Sequence, residues 1–197
     1  MQRRPLFFDT ETTGVRPEQD RIVEIAVFDL ERNISFCELV NLKVLIPKDA
    51  SQVHGITDDM VKGAPDFAAI GKKLLEFCSG EVALIGHNCD GFDVPFLKAE
   101  FTRNGLALPS HWIFVDSLKW ARKYRRDLPK HALQFLRQIY GIKPNQAHRA
   151  LADVMVLSEV FRMMTDDLTC EDIITLLGCN IPAPQEKKPV EDLHLFV

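Results

Sequence analysis

Four carboxylates and one histidine, Asp9, Glu11, Asp93, Asp153 and His148, are the side-chain types that a metal-assisted phosphodiester hydrolase needs. The first pair lies in Leu6-Phe7-Phe8-Asp9-Thr10-Glu11-Thr12-Thr13-Gly14, where an apolar run gives way to two acids and a turn-forming glycine. Residues i and i+2 of a strand point to the same side of a sheet, so Asp9 and Glu11 share a face at the end of a buried strand. Two like charges that close repel, and burial raises the cost. A hard divalent cation bound between them removes it, and Mg²⁺ favours carboxylate oxygens. Alone, a D-x-E could as well be a solvated strand end, so the argument depends on the rest of the chain.

His148 and Asp153 carry a geometric constraint of their own. Five residues along an α-helix turn the chain by about 500°, leaving two side chains about 140° apart. They cannot face one site from inside a regular helix. His148 is therefore expected on the loop before a helix and Asp153 in its first turns, with Pro144-Asn145-Gln146-Ala147 as the loop. A histidine on a loop can swing in when ligands are bound.

The elements that must position these residues follow from periodicity. Strands are expected at 5–9, 21–29 and about 34–46, with turn residues between them that make them antiparallel neighbours. Helical spacing follows at about 66–79, then a buried strand at 82–85, a helix at about 93–104 and a strand at 113–115. Asp116 or Ser117 is the expected N-cap of a helix through about 124. Leu133, Leu136, Arg137 and Tyr140 continue a helical pattern that Gly141 stops, and helices near 149–164 and 170–177 complete the set. Strands first, then strands alternating with helices, imply an α/β domain with a mixed β-sheet flanked by helices.

At 197 residues and 46% hydrophobic, the chain can build one compact core. No apolar stretch reaches the roughly 20 residues that span a bilayer, and the run before Asp9 is too short for a signal sequence, so no membrane partner is expected. The five cysteines (37, 78, 89, 170 and 179) are odd in number and form no C-x-x-C, which suits a reducing, cytoplasmic setting. The net charge of −4 conceals an asymmetry: Lys119 to Lys143 holds eight Lys or Arg against one acid, a local +7 on a remainder of −11. Such a stripe can take a phosphate backbone. From Asn180 the chain becomes a proline-rich, charged linker that ends in Leu193-His194-Leu195-Phe196. The expected division is a domain over 1–178 and a linker with a tail over 179–197.

Two further motifs complete the pattern: Gly86-His87-Asn88-Cys89-Asp90-Gly91-Phe92-Asp93-Val94-Pro95, and His148-Arg149-Ala150-Leu151-Ala152-Asp153. With Asp9-Thr10-Glu11-Thr12-Thr13-Gly14, in this order and at these separations, they resemble the DnaQ-like, or DEDDh, family of 3′→5′ exonucleases over about residues 5–165. His54-Gly55-Ile56-Thr57 resembles a loop of the proofreading exonucleases of bacterial replicative polymerases. Asp93 stands six positions after His87 rather than the commoner five, matching a family variant with three residues between Asn and Phe-Asp. Asp90 is the competing acid, but Asp and Gly are at home in the turn itself. His87 is read either as a hydrogen-bonded core histidine or as a substrate contact.

The resemblance implies an RNase H-like fold and hydrolysis of a terminal phosphodiester with two divalent cations, Mg²⁺ or Mn²⁺. It implies that Asp9, Glu11, Asp93 and Asp153 hold the metals, and that His148 takes a proton from the attacking water. Thr12, Thr13, Gly14 and Asn88 are expected around the terminal nucleotide, with His54 and Ile56 against its base and Phe92 beneath it. The expected substrate is a DNA 3′ end in proofreading or repair. RNA, as in oligoribonuclease and RNase T relatives, is the alternative, and a non-catalytic scaffold is a third reading. The tail resembles the peptide by which replication and repair proteins grip the sliding clamp, through Leu193, Leu195 and Phe196, although Asp192 replaces the usual glutamine. A DNA polymerase is the other expected partner.

Overall fold

The computed structural model of the chain describes residues 3–145, 147–166 and 168–179. These form a five-stranded sheet in the order β3-β2-β1-β4-β5. The strands are β1 (Arg4–Thr12), β2 (Ile22–Asp29), β3 (Ile34–Leu39), β4 (Val82–Gly86) and β5 (Ile113–Asp116). β1, β2 and β3 pair antiparallel, while β4 and β5 run parallel to β1. The helices are α1 (Lys48–His54), α2 (Asp58–Val61), α3 (Phe67–Phe77), α4 (Asp93–Arg103), α5 (Ser117–Tyr124), α6 (Leu133–Ile139), α7 (Ala150–Thr165) and α8 (Cys170–Leu177).

Strand alternation divides the core into two layers. Leu6 and Phe8 of β1 enter a cluster with Ile70 and Leu74 of α3 and Phe96 and Phe101 of α4. Phe7 faces the other way, into Leu157 and Phe161 of α7 and Ile173 and Ile174 of α8. Each such side chain contributes about 1.5–3 kcal/mol when fully buried. The mixed sheet between helices is the architecture expected from the order of strand and helix patterns.

Two stretches differ from the pattern. β3 ends at Leu39 instead of continuing to about 46. Asn41 turns the chain away: its carboxamide donates to Lys62 O and accepts from the Lys43 amide, and Lys43 takes φ +57°. Val40, Leu42 and Ile46 are still buried, so the alternating apolar residues record burial of an irregular segment. α1 and α2 were not expected. Pro47 before α1, Asp49 in its first turn and left-handed Gly55 after it are the right punctuation. At 7 residues, however, α1 carries too little periodicity to stand out. Asp116 does cap α5, accepting from the Leu118 and Lys119 amides. Among the described residues, no helix is long and apolar enough to cross a membrane.

One feature of the sheet creates the site. The β1–β4 ladder ends at Phe7↔Ile85, whereas β1–β2 pairing continues past Glu11↔Glu24. β1 thus overhangs β4, leaving a crevice at the carboxyl ends of the parallel strands, where open α/β sheets bind ligands.

Candidate active site

The crevice opens into a cleft of about 440 Å³ whose lining includes Asp9, Glu11, Asp93, His148 and Asp153. Asp9 and Glu11 come from the overhang of β1, Asp93 from the first turn of α4, and Asp153 from the first turn of α7. His148 precedes α7 on the loop, as the helical geometry required, with its backbone in the left-handed region at φ +62°. Donor atoms of Glu11, His148 and Asp153 lie within 4.8 Å of one another.

Each acid is held. Because β4 has already ended, the Thr10 amide is free to donate to Asp93 Oδ1 at 3.1 Å, and the Thr10 hydroxyl donates to the same oxygen at 2.6 Å. Asp153 Oδ1 accepts from Gln134 Nε2 (3.0 Å) and Asn145 Nδ2 (2.9 Å), and its Oδ2 accepts from the His148 amide (2.7 Å). Arg137 Nε in turn donates to Gln134 Oε1 at 2.8 Å.

Burial, and then crowding, raises the proton affinity of Asp9, Glu11 and Asp93. Burial, and then the charges of Asp93, Glu11, Asp153 and Glu24, push Asp9 well above the usual carboxylate range. Burial followed by Asp153, Glu24 and Asp93 pushes Glu11 up to about 8, with Arg149 opposing. Burial brings Asp93 to about 6 against the hydrogen bonds from Thr10. Carboxylates forced to hold protons near neutral pH are what a divalent cation discharges, and an oxygen-rich donor set suits hard ions. The residues therefore fit divalent cations.

The cleft walls include Thr12, Thr13, Gly14, His54, Asn88 and Phe92. The Thr12 hydroxyl donates to Gly14 O at 2.6 Å, and the Thr13 hydroxyl accepts from the Arg21 amide at 2.9 Å, so both shape the turn. Gly14 also leaves room for a neighbour the sequence did not reveal: a Cβ there would lie 2.5 Å from the Asp20 carboxylate, which would have to move. His54 is buried, its Nδ1 accepting from the Ile56 amide, while Nε2 has no partner among the described residues. Phe92 is half-buried and packs against Phe96 with tilted rings, centroids 5.0 Å apart.

Ile56 does not line the cleft. It is 0% exposed in the core, so the expected wedge against a base is corrected. Left-handed Gly55 reverses the chain between the two residues, leaving His54 at the cleft and sending Ile56 inward. Asp90 pairs with Lys119 on the wall of a separate depression, away from Asp93. His87 has both features considered for it: its Nδ1 meets Ser117 Oγ at 2.8 Å, and its ring lines the cleft. Sequence reasoning missed Val15, Asp49, Ala50 and Val53 in the lining. Val15 and Val53, directly after Gly14 and before His54, are 76% and 57% exposed, an apolar rim that adjacency to the motifs could have signalled.

The basic stretch is thinner than its charge count. Lys119 pairs with Asp90, Lys123 donates to Leu176 O, and Arg125 is taken by Asp127 and Tyr140. Arg137 is buried beside Gln134. Arg122, Arg126 and Lys130 are exposed. Leu193, Leu195 and Phe196 lie outside the described residues.

The chain is similar to known proteins in sequence and fold. The RNase T family model, described as an exonuclease, matches residues 6–161. The chain is 38% identical over 162 residues to the DNA polymerase III subunit epsilon of Treponema pallidum, covering 80% of this chain and 74% of that one. It is 34% identical over 188 residues to the chloroplastic/mitochondrial exonuclease DPD1 of Arabidopsis thaliana, 87% of this chain but 59% of that protein. Against a PolC-type DNA polymerase III of Caldanaerobacter subterraneus it is 32% identical over 96% of its length, which is 13% of the polymerase. E. coli exonuclease I bound to a dT13 oligonucleotide superposes with TM-score 0.73 at 22% identity, over 84% of this chain and 41% of that chain. The fold is therefore the RNase H-like fold of exonuclease I.

Proposed function

The chain belongs to the RNase T exonuclease family, and from that premise we propose that it removes nucleotides from the 3′ end of DNA, releasing 5′-nucleoside monophosphates. The observation that carries this reading is the convergence of four carboxylates and a histidine at the overhang of β1. DNA is favoured because the relatives include a polymerase III epsilon subunit and a PolC-type polymerase, and because exonuclease I is a fold neighbour bound to single-stranded DNA.

Asp9, Glu11, Asp93 and Asp153 are assigned as the residues that hold two divalent cations, Mg²⁺ or Mn²⁺. Bound there, the cations supply Lewis-acid polarisation of the phosphodiester and neutralise developing charge. His148, exposed at the rim beside Glu11 and Asp153, accepts the proton of the attacking water on a ring nitrogen. Val15, Val53 and Phe92 offer apolar surface to the last base, and buried His54 backs that wall. Apolar contact with a base face is indifferent to sequence, as a general exonuclease requires. Arg122, Arg126 and Lys130 supply charge for the incoming backbone.

In the same reading residues 1–178 are the exonuclease domain and 179–197 a linker carrying a clamp-binding peptide, with a polymerase as the other partner. Capture on immobilised sliding clamp, lost in Leu195→Ala/Phe196→Ala, tests the peptide. The activity is tested with matched 5′-labelled single-stranded DNA and RNA, Mg²⁺ and an Asp9→Ala control. A DNA ladder absent from the control is expected. Preference for RNA would overturn the substrate assignment, and silence on both would overturn the activity.

A further inference from the structure

Arg149 lies between the histidine and the helix that carries Asp153, yet it does not line the cleft. Its guanidinium donates from NH2 to Glu24 Oε1 at 2.7 Å and from Nε to Glu24 Oε2 at 3.2 Å. Glu24 Oε2 also accepts from the Ala150 amide at 2.9 Å. Glu24 sits on β2, is 1% exposed, and stands directly across the ladder from Glu11. A second buried carboxylate beside an acidic centre is unfavourable, so its presence calls for a compensating partner. That partner is Arg149, half-buried at the start of α7.

We infer that the Arg149–Glu24 pair is a positioning device that fixes the His148 imidazole over Glu11 and Asp153. The backbone supports this. His148 takes φ +62°, a conformation that a side chain rarely adopts and that persists only when its surroundings over-determine it. Two restraints act on it. The His148 amide donates to Asp153 Oδ2 at 2.7 Å, and the next residue is bolted to the sheet through two hydrogen bonds to Glu24. Anchoring α7 alone would need only the Glu24 carboxylate at the Ala150 amide. The guanidinium adds orientation of the residue next to the histidine, and its planar fork is suited to that.

The inference rests on the reading of His148 as proton acceptor, and the experiment separates the two. Single-turnover degradation of 5′-labelled single-stranded DNA with Mn²⁺ is measured for wild type, Arg149→Met, His148→Ala and the double variant. Mn²⁺ binding to each is measured by calorimetry. Arg149→Met is expected to slow the wild type about 10- to 100-fold, the range for a displaced catalytic group. In the His148→Ala background it should change the rate by less than about twofold, because a residue acting through the histidine has nothing left to position. Mn²⁺ affinity should not fall, since the change removes a positive charge beside the acids. Equal losses in both backgrounds, no loss in the wild-type background, or a parallel fall in Mn²⁺ affinity would each overturn the inference. If His148→Ala itself keeps full activity, the proton-acceptor reading fails and takes this inference with it. Should Arg149→Met not fold with Glu24 left unpaired, Glu24→Leu/Arg149→Met removes both charges together and is read against the same outcomes.

Discussion

Asp93 is tied to the neighbouring strand by two hydrogen bonds from one residue, the amide and the hydroxyl of Thr10. The hydroxyl bond goes to a charged acceptor in a buried place, so Thr10→Val should cost about 1.5–3 kcal/mol in denaturant unfolding and weaken Mn²⁺ binding measured by calorimetry. Glu11 gives a prediction in pH. Its folded proton affinity, raised to about 8, exceeds that of an ordinary carboxylate, so between about 4.5 and 8 the folded metal-free protein holds more protons than the unfolded chain. Stability then falls as pH rises through that window. Thermal melts in EDTA should show a lower Tm at pH 8 than at pH 6, and added Mn²⁺ should raise Tm more at pH 8. A metal-free Tm that climbs with pH would contradict the crowding described for this site.

The loop from Gly14 to Asp20 belongs to no strand or helix; its first residues, Gly14 and Val15, wall the cleft, and α4 holds the rest. Arg103 donates to Asp20 O at 3.1 Å and also to Pro17 O, while buried Glu100 accepts from Arg21 Nε and NH2 at 2.5 and 2.9 Å. Glu100→Ala should cost about 3–5 kcal/mol, because it strands Arg21 beside the core, and urea unfolding measures the loss. Arg103→Ala frees the loop and also removes a 3.3 Å ion pair to Glu100, but touches no acid of the cleft, so KM for single-stranded DNA should rise while kcat changes by less than about threefold. A fall in kcat with unchanged KM would refute this role. Elements such as α3 and α7 were legible in the sequence because their apolar residues recur at helical spacing over three or more turns. α1 and the Gly14–Asp20 loop were not, since a two-turn helix and a loop secured by side chains from α4 have no local period. Sequence could name His148 and Asp153 and even place one on a loop. It could not name Glu24 and Arg149, 125 positions apart, because their pairing exists only once β2 and α7 meet.

For the molecule as a whole, charge is arranged against the overall sign. An acidic chain of net −4 presents exposed Arg122, Arg126 and Lys130 within a stretch whose Lys119, Arg125 and Arg137 are taken up by internal partners. Replacing all three by Ser should weaken single-stranded DNA binding, and the slope of log K against log salt should shrink by up to about two, near 0.7 per lost phosphate contact. An unchanged slope would place the incoming strand elsewhere. The position of that stripe was visible in the sequence, but its strength was not, because Lys119, Arg125 and Arg137 read as free charges until their partners are seen. The overhang of β1 has one more consequence. Asp9 and Glu11 are aligned only by pairing with β2, and a slip of one residue would turn both acids to the opposite face of the sheet. A misregistered chain would therefore be inert while keeping much of its hydrophobic packing, so specific activity becomes a count of molecules whose first hairpin zipped correctly.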